Sequence, residues 1–193
     1  MSKSSTTTGE EFNKVYRSFI GNWIWSDNRI PKELKELVEL HNPKTSLELG
    51  CGLGIFSSFM ASQGIEATGV DFSSVAIEKA NKRVANNTNR PEYIVGDVTN
   101  LKEIDKQFDV SFDVGCFNCL DKEAQKKYVS EINRLLKPGA TLLIWAMDTS
   151  PGDIKLSPKY IEQTFGEHFK LDQSKISRRR IVPSHWYWLI RKI

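Results

Sequence analysis

Apolar residues along the chain follow two alternating patterns: short continuous runs, and segments with an apolar residue at every third or fourth position. Runs of about five residues are typical of buried strands, and the wider spacing is typical of amphipathic helices. Five runs predict strands in succession, at residues 45–50, 65–71, 92–97, 108–115 and 137–147. Because helical segments separate these strands, we expect a parallel sheet with helices on both faces.

The segments between the predicted strands carry residues that begin and end helices. Short polar side chains that cap helix N-termini precede three of the apolar-periodic segments, and glycines follow two of them. The predicted caps are Ser73 or Ser74, Asp121 and Ser157, and the predicted stops are Gly64 and Gly166.

The start of the chain predicts a helical segment ahead of the sheet. Residues 1–11 are polar and we expect a flexible tail, whereas apolar residues recur at helical spacing from Phe12 onward. Pro31 is expected as the first residue of a second helix, which Pro43 ends. We interpret residues 12–43 as a helical lid segment because aromatic side chains cluster there: Tyr16, Trp23 and Trp25.

The alternative for these aromatic side chains is core packing. Trp25 lies in an irregular stretch, residues 22–30, rather than in a periodic helix. It is therefore the preferred candidate to cover a binding site.

The chain ends in two further apolar segments, residues 168–176 and 184–193, joined by a short turn. Parallel strands need a crossover of about a dozen residues, so this connection predicts an antiparallel hairpin. The whole pattern predicts an α/β three-layer sandwich, a mostly parallel seven-stranded sheet with a C-terminal antiparallel hairpin and helices on both faces. We expect a single domain over residues 12–193.

Charge and hydropathy limit the classes of partner that we expect for this protein. The 193 residues contain 27 Lys and Arg and 24 Asp and Glu, and the net charge of +3 is too small to indicate a nucleic-acid partner. No apolar run reaches a membrane-spanning length of about 18 residues, and the N-terminus lacks an apolar leader. We therefore expect a cytoplasmic protein, a monomer or homodimer, that acts on a small molecule.

Cys116 and Cys119 form a C-x-x-C pair, a spacing found in zinc and redox sites. A structural zinc site needs four ligands, and only Cys51 and three scattered histidines remain to complete one. We therefore expect no metal, and cysteines that fill a strand end and the following turn.

Three glycines, Gly50, Gly52 and Gly54, follow the first predicted strand. Ligands of an open parallel sheet bind beyond the carboxyl ends of its strands, so this loop is the expected site. The dinucleotide fingerprint is G-x-G-x-x-G, and here Ile55 occupies the position of its third glycine. A nicotinamide dinucleotide is thus a rival ligand, which the glycine spacing by itself leaves open.

Three acidic residues lie at the ends of successive predicted strands: Glu48, Asp71 and Asp97. Carboxylates repel a pyrophosphate, whereas they accept hydrogen bonds from ribose hydroxyls, an exocyclic amine and cationic groups. The two oxygens of one carboxylate suit the two hydroxyls of a ribose, which explains an acid at position 71. The acids therefore favour a cationic nucleoside ligand over a dinucleotide.

Five motifs occur in the order and spacing of one family: LELGCGLG, GVDFS, GDV, FDVSFDVGCFNCL and LLKPGATLLIW. Over residues 44–193 the chain resembles the class I, seven-strand Rossmann-like S-adenosylmethionine-dependent methyltransferases. The resemblance implies that fold, methyltransferase activity and S-adenosyl-L-methionine as the cofactor.

The resemblance also implies roles for residues of the first two motifs. Gly50, Cys51 and Gly52 are expected to pass under the methionine part of the cofactor. Glu48 is expected to steady that loop and the ammonium group, and Asp71 to hold the ribose hydroxyls.

The later motifs are implied to surround the adenine and the transferred methyl group. Phe72 is expected against the adenine ring, and Asp97 and Val98 at its amine and edge. Cys116 and Phe117 are expected to face the methionine end and the methyl acceptor.

The segment DVGCFNCL resembles the thiopurine and thiol-methylating subgroup, so a thiol or another soft nucleophile is the leading acceptor. Val114 and Asn118 replace an arginine and a histidine of that subgroup, which leaves the substrate open. Two alternatives are a protein-lysine methyltransferase of the same fold and a protein that binds S-adenosylmethionine without catalysis.

We expect no indispensable general base. A sulfonium donor already favours methyl transfer, so alignment supplies most of the acceleration. Asp148, just past the fifth predicted strand, is the candidate carboxylate, and the three histidines are expected away from the strand ends.

Overall fold

The computed structural model describes residues 9–17, 29–177, 179 and 182–193. The helices in these residues are α1 Gly9–Arg17, α2 Lys32–His41, α3 Ile55–Ser62, α4 Ser74–Arg83, α5 Lys122–Leu135 and α6 Pro158–Phe165. The strands are β1 Thr45–Leu49, β2 Glu66–Asp71, β3 Glu92–Val95, β4 Phe108–Val114, β5 Leu136–Met147, β6 Thr149–Ser150, β7 Ile154–Lys155, β8 Phe169–Ile176 and β9 Ser184–Arg191.

Seven of these strands form one sheet, in the order β3-β2-β1-β4-β5-β9-β8. The pairings among β1 to β5 are parallel, and β9 pairs antiparallel with both β5 and β8. The connection from β8 to β9 is too short for a crossover, so the chain must turn back on itself. The predicted α/β fold, with its C-terminal hairpin, is confirmed.

Two very short strands, β6 and β7, pair in a separate hairpin that the sequence did not predict. Each contains two residues, which is too short for a period of two to be seen. This hairpin follows β5 directly and lies beside the carboxyl edge of the sheet.

The predicted helix caps lie where the local sequence places them. Ser73, Asp121 and Ser157 each accept a hydrogen bond from the backbone N–H three residues on. Ser73, rather than Ser74, is the cap of α4. Each such cap contributes about 1 kcal/mol, because it satisfies an amide that has no partner inside the helix.

Apolar side chains form one cluster on each face of the sheet. The α5 and α6 face carries the larger cluster, which includes Tyr128, Phe165 and Tyr187. The α2 and α3 face carries the other, in which Trp145 and Trp186 lie opposite each other on β5 and β9. The sheet is therefore covered on both sides, as helices alternating with strands require.

The N-terminal segment differs in detail from the prediction. Helix α1 begins at Gly9, inside the predicted tail of residues 1–11. Pro31 is the N-cap of α2 rather than its first residue, and Asn42, in the left-handed conformation with φ of 42°, ends that helix ahead of Pro43. The irregular stretch that contains Trp25 lies largely outside the described residues.

Helix α1 rests on α4. The Lys79 ammonium donates to the Tyr16 carbonyl oxygen, and the Ser73 hydroxyl donates to Asn13 Oδ1 at 2.6 Å. None of the described helices combines the length and apolar character that crossing a membrane requires.

Candidate active site at the carboxyl edge of the sheet

The glycine loop after β1 adopts a conformation that side chains disfavour. Gly50, Gly52 and Gly54 have φ values of 71°, 50° and 70°. A Cβ at Gly50 would lie 2.5 Å from Cβ of Cys116, and one at Gly52 would lie 2.7 Å from the Tyr16 hydroxyl. The loop therefore needs glycine both for its backbone angles and for close approach to its neighbours.

Asp71, at the end of β2, ties the glycine loop to helix α4. Its Oδ2 accepts from the Gly52 N–H and its Oδ1 accepts from the Ser73 N–H, each at 2.8 Å. The carboxylate is 7% exposed, and burial raises its pKa above the usual range while the two amides oppose that shift. Asp71 thus holds the loop in place besides facing the predicted site.

Glu48, near the end of β1, is 2% exposed. Its Oε2 accepts from the Ser57 N–H at 2.8 Å and also from the Ser57 hydroxyl. Burial raises the pKa of Glu48 to about 8, and the nearby carboxylates of Asp71 and Asp113 add to the effect. A cationic group placed beside Glu48 would favour its ionised form.

The residues predicted around an adenine lie at the ends of β2 and β3. Phe72 is 40% exposed, which is unusual for a large apolar ring and leaves it available to a ligand. Asp97 Oδ1 accepts from the Thr99 N–H and hydroxyl, both at 2.8 Å. The Val98 side chain packs in the core, so its backbone is the part that can contact a ligand.

Asp113 organises the loop after β4, and the sequence analysis missed it. The carboxylate is fully buried and accepts from the N–H groups of Cys116 and Phe117, at 2.8 and 3.0 Å, and from the Tyr128 hydroxyl at 2.9 Å. Burial raises its pKa to about 7. The strand also contains Asp109 and Ser111 at alternate positions, so no local signal singled out Asp113.

Phe117 and Asn118 in this loop are buried, so their side chains have structural roles. The Phe117 ring is fully buried against Tyr128 and Phe165, so only its backbone is left to face the methionine end of a cofactor. Asn118, 3% exposed, accepts from the Met147 N–H at 3.2 Å and so links the loop to β5. Cys116 lies against Gly50, which brings the loops after β1 and β4 together.

Asp148 is not the spare carboxylate that the sequence suggested. Its Oδ1 lies 2.7 Å from Nδ1 of His185, and the imidazole stacks on Tyr187. The expectation that the histidines lie away from the strand ends is wrong for His185. Because β9 runs antiparallel to β5, its second residue pairs with Ala146 at the carboxyl edge.

Tyr16 brings the N-terminal helix into the site. Its phenol is largely buried, and burial together with the Asp71 carboxylate raises its pKa, so the hydroxyl stays protonated and can donate. It stands over Gly52, whereas the other two predicted lid residues, Trp23 and Trp25, lie outside the described residues. A lid role for all three remains a prediction.

Cys51, Cys116 and Cys119 are free thiols. Burial raises the pKa of each, so all three stay protonated at neutral pH. The described part of the chain contains no group of three or more His, Cys, Asp or Glu side chains that could hold a metal ion.

Comparison with known proteins shows what part of this chain is similar to. Residues 47–139 match the family described as "Methyltransferase domain". Demethylmenaquinone methyltransferase of Clavibacter sepedonicus is 32% identical over 106 residues, which cover 54% of this chain and 42% of that protein. The chain thus spans less than half the length of this curated relative.

Solved structures share the fold along nearly the whole chain. Magnesium protoporphyrin IX methyltransferase from Synechocystis, solved with bound S-adenosylmethionine, has a TM-score of 0.77 at 15% identity and covers 99% of this chain and 100% of its own. A protein studied for the conversion of a disulfide bond into a thioacetal group during echinomycin biosynthesis has a TM-score of 0.75 at 20% identity, with coverages of 96% and 93%. The observed sheet order and these neighbours show the α/β Rossmann-like methyltransferase fold, and residues 47–139 match a methyltransferase domain.

Proposed function

We propose that the protein binds S-adenosyl-L-methionine at the carboxyl edge of its sheet and transfers the methyl group to a small-molecule acceptor. The observation that carries this proposal is the buried Asp71 carboxylate at the end of β2, which lies against the positive-φ glycine loop. When bound, the cofactor supplies an electrophilic methyl group on a sulfonium sulfur. The chain supplies binding, orientation and exclusion of water.

The described residues fit such a cofactor. Each Asp71 oxygen accepts one backbone amide and keeps a second acceptor position, so the carboxylate can still accept from two ribose hydroxyls. The buried Glu48 gains a partner if an ammonium group lies beside it. The exposed Phe72 ring offers an apolar surface to the adenine.

The remaining predicted contacts complete the proposed site. Cys51 would contact the methionine part, Asp97 and the Val98 backbone the adenine, and Cys116 with the Phe117 backbone the reacting end. Trp25 would cover the cofactor as part of the lid.

For the acceptor, we propose a thiol or another soft nucleophile. A thiol reacts as its thiolate, which forms near neutral pH, so a protein base is dispensable. One of the fold neighbours was studied for the conversion of a disulfide bond into a thioacetal group, which is chemistry at sulfur. We further propose a cytoplasmic monomer or homodimer without a nucleic-acid partner.

Thermal unfolding with ligands tests the cofactor. S-Adenosylhomocysteine should raise the melting temperature, because binding to the folded state alone stabilises by about 2.7 kcal/mol at a hundredfold excess over the dissociation constant. NAD and NADP are the controls and should give no shift. A shift with NADH and none with S-adenosylhomocysteine would refute the cofactor assignment.

A methyl-release assay over thiols, amines, phenols, carboxylates and a lysine-rich protein tests the acceptor. Turnover with thiols supports the proposal, and turnover with the protein alone identifies a lysine methyltransferase. Binding of S-adenosylhomocysteine without turnover on any acceptor would identify a protein that binds the cofactor without catalysis.

A further inference from the structure

A cavity of about 610 Å³ lies between the start of α2 and the end of the β8–β9 hairpin. Among the described lining residues there are four cationic side chains, those of Arg29, Lys32, Lys175 and Arg179, and one carboxylate, that of Glu33. Arg29 and Arg179 each have a further interaction partner, whereas Lys32 and Lys175 have no ion pair among the described residues. A cleft in which positive charge predominates favours an anionic occupant.

None of the described lining residues lies in the loops after β1 and β4, but two of them contact neighbours of those loops. The Arg179 guanidinium lies 5.3 Å from the centre of the Phe56 ring, and Phe56 is the second residue of the helix that follows the glycine loop. On the other side, Trp186 pairs with Trp145, whose carbonyl accepts from the Gly115 N–H at 2.9 Å. These contacts place the cavity towards the carboxyl edge of the sheet, where the proposed cofactor site lies.

The lining is organised rather than a random group of surface cations. Arg179 Nη1 donates to the Arg29 carbonyl at 3.0 Å, which together with the Phe56 ring orients its guanidinium. The N-cap of α2 is Pro31, which has no side-chain cap, so the positive end of the helix dipole also faces the cavity.

We propose that this cavity binds the anionic group, a carboxylate or a phosphate, of the methyl acceptor. This inference rests on the proposed methyl transfer, because it assigns the cavity to the acceptor of that reaction.

Two double variants distinguish the loss of cations from the cavity lining from the loss of net charge. Lys32→Ala with Lys175→Ala removes two cations from the lining, one on α2 and one on β8. Lys35→Ala with Lys170→Ala removes two exposed cations from the same two elements, outside the lining. The net charge changes equally in both.

The first experiment titrates inorganic phosphate at constant ionic strength and follows the Trp186 indole N–H by NMR, with Trp186→Phe identifying that signal. We expect a saturable shift in the wild type and in the Lys35/Lys170 variant. The dissociation constant should rise at least about tenfold in the Lys32/Lys175 variant, as expected when charged hydrogen bonds are lost. No saturable shift in the wild type, or equal weakening in both variants, would overturn the anion site.

The second experiment compares kcat/KM for pairs of acceptors that differ only in a carboxylate or its methyl ester. We expect a preference for the carboxylate that falls about ten- to a hundredfold in the Lys32/Lys175 variant, as the same loss of charged contacts predicts, and persists in its control. If phosphate binds but the carboxylate is not preferred, the cavity is an anion site that does not bind the acceptor. If no acceptor is turned over, both the proposed function and the acceptor role are wrong. The phosphate titration then still tests whether the cavity binds an anion.

Discussion

Asp71→Asn is the substitution that most directly tests the site. The side chain keeps its size, but one of its two oxygens becomes an NH₂ group. Each oxygen of Asp71 accepts one backbone amide at 2.8 Å, so the amide must present a donor to the N–H of either Gly52 or Ser73. That N–H then lacks a partner in a position that is 7% exposed.

The magnitude follows from these two contacts. A hydrogen bond to a charged group contributes about 1.5 to 3 kcal/mol, and a buried donor without a partner costs about 1 to 3 kcal/mol. Since one bond is lost and the other loses its charge, we expect the free energy of unfolding to fall by about 2 to 4 kcal/mol. The affinity for S-adenosylhomocysteine should also fall, about ten- to a hundredfold, because one acceptor for a ribose hydroxyl is gone.

Urea unfolding measures the stability and calorimetry measures the affinity. Asp97→Asn is the matched control for stability, because Asp97 uses a single oxygen, Oδ1, for both of its contacts with Thr99. An asparagine can keep both, so we expect a loss below about 1 kcal/mol, the value of a typical hydrogen bond. If Asp71→Asn is as stable as the wild type and binds S-adenosylhomocysteine equally well, the reasoning about this carboxylate is wrong.

The remaining predictions concern the pH dependence of stability, the β8–β9 hairpin and the removal of the proton from the acceptor. Burial raises the folded-state pKa of Glu48 to about 8, so the folded protein holds a proton that the unfolded chain releases near its ordinary pKa. The free energy of unfolding should therefore fall as the pH rises from about 4.5 towards 8. Urea melts across this range should show this fall. Glu48→Gln should make the fall smaller, and Asp113, whose pKa burial raises to about 7, should account for part of what remains. Leu189→Asp should prevent folding, because it places a charge at a fully buried position. The control Ile176→Asp lies on the same hairpin at a position that is 72% exposed, and it should fold normally. Circular dichroism measures both. With thiol acceptors, turnover should rise with pH through the pKa of each acceptor. The activity should persist in the variants His185→Gln and Asp148→Asn. If all acceptors instead share one pKa, and both variants lose it, a side chain of the protein acts as the base.

Local sequence was sufficient for the elements and their order. Apolar periodicity and cap chemistry act within a few residues, so the caps Ser73 and Asp121 and the β8–β9 hairpin could be predicted without any tertiary contact. The two-residue strands β6 and β7 could not, because no periodic pattern exists over so short a length. The start of α1 was misplaced because its first turn is polar and resembles a tail.

The sequence by itself determined the glycine loop and the acids at the strand ends, and hence where the candidate site lies, because parallel strands bring their carboxyl ends to one edge whatever packs around them. Only the tertiary structure decided how those residues are used. The Asp148–His185 pair joins residues 37 positions apart, through the antiparallel register of β9, and the cationic cavity joins the start of α2 to the end of β8. Such contacts depend on strand register and on the packing of distant elements, and the local sequence pattern predicts neither.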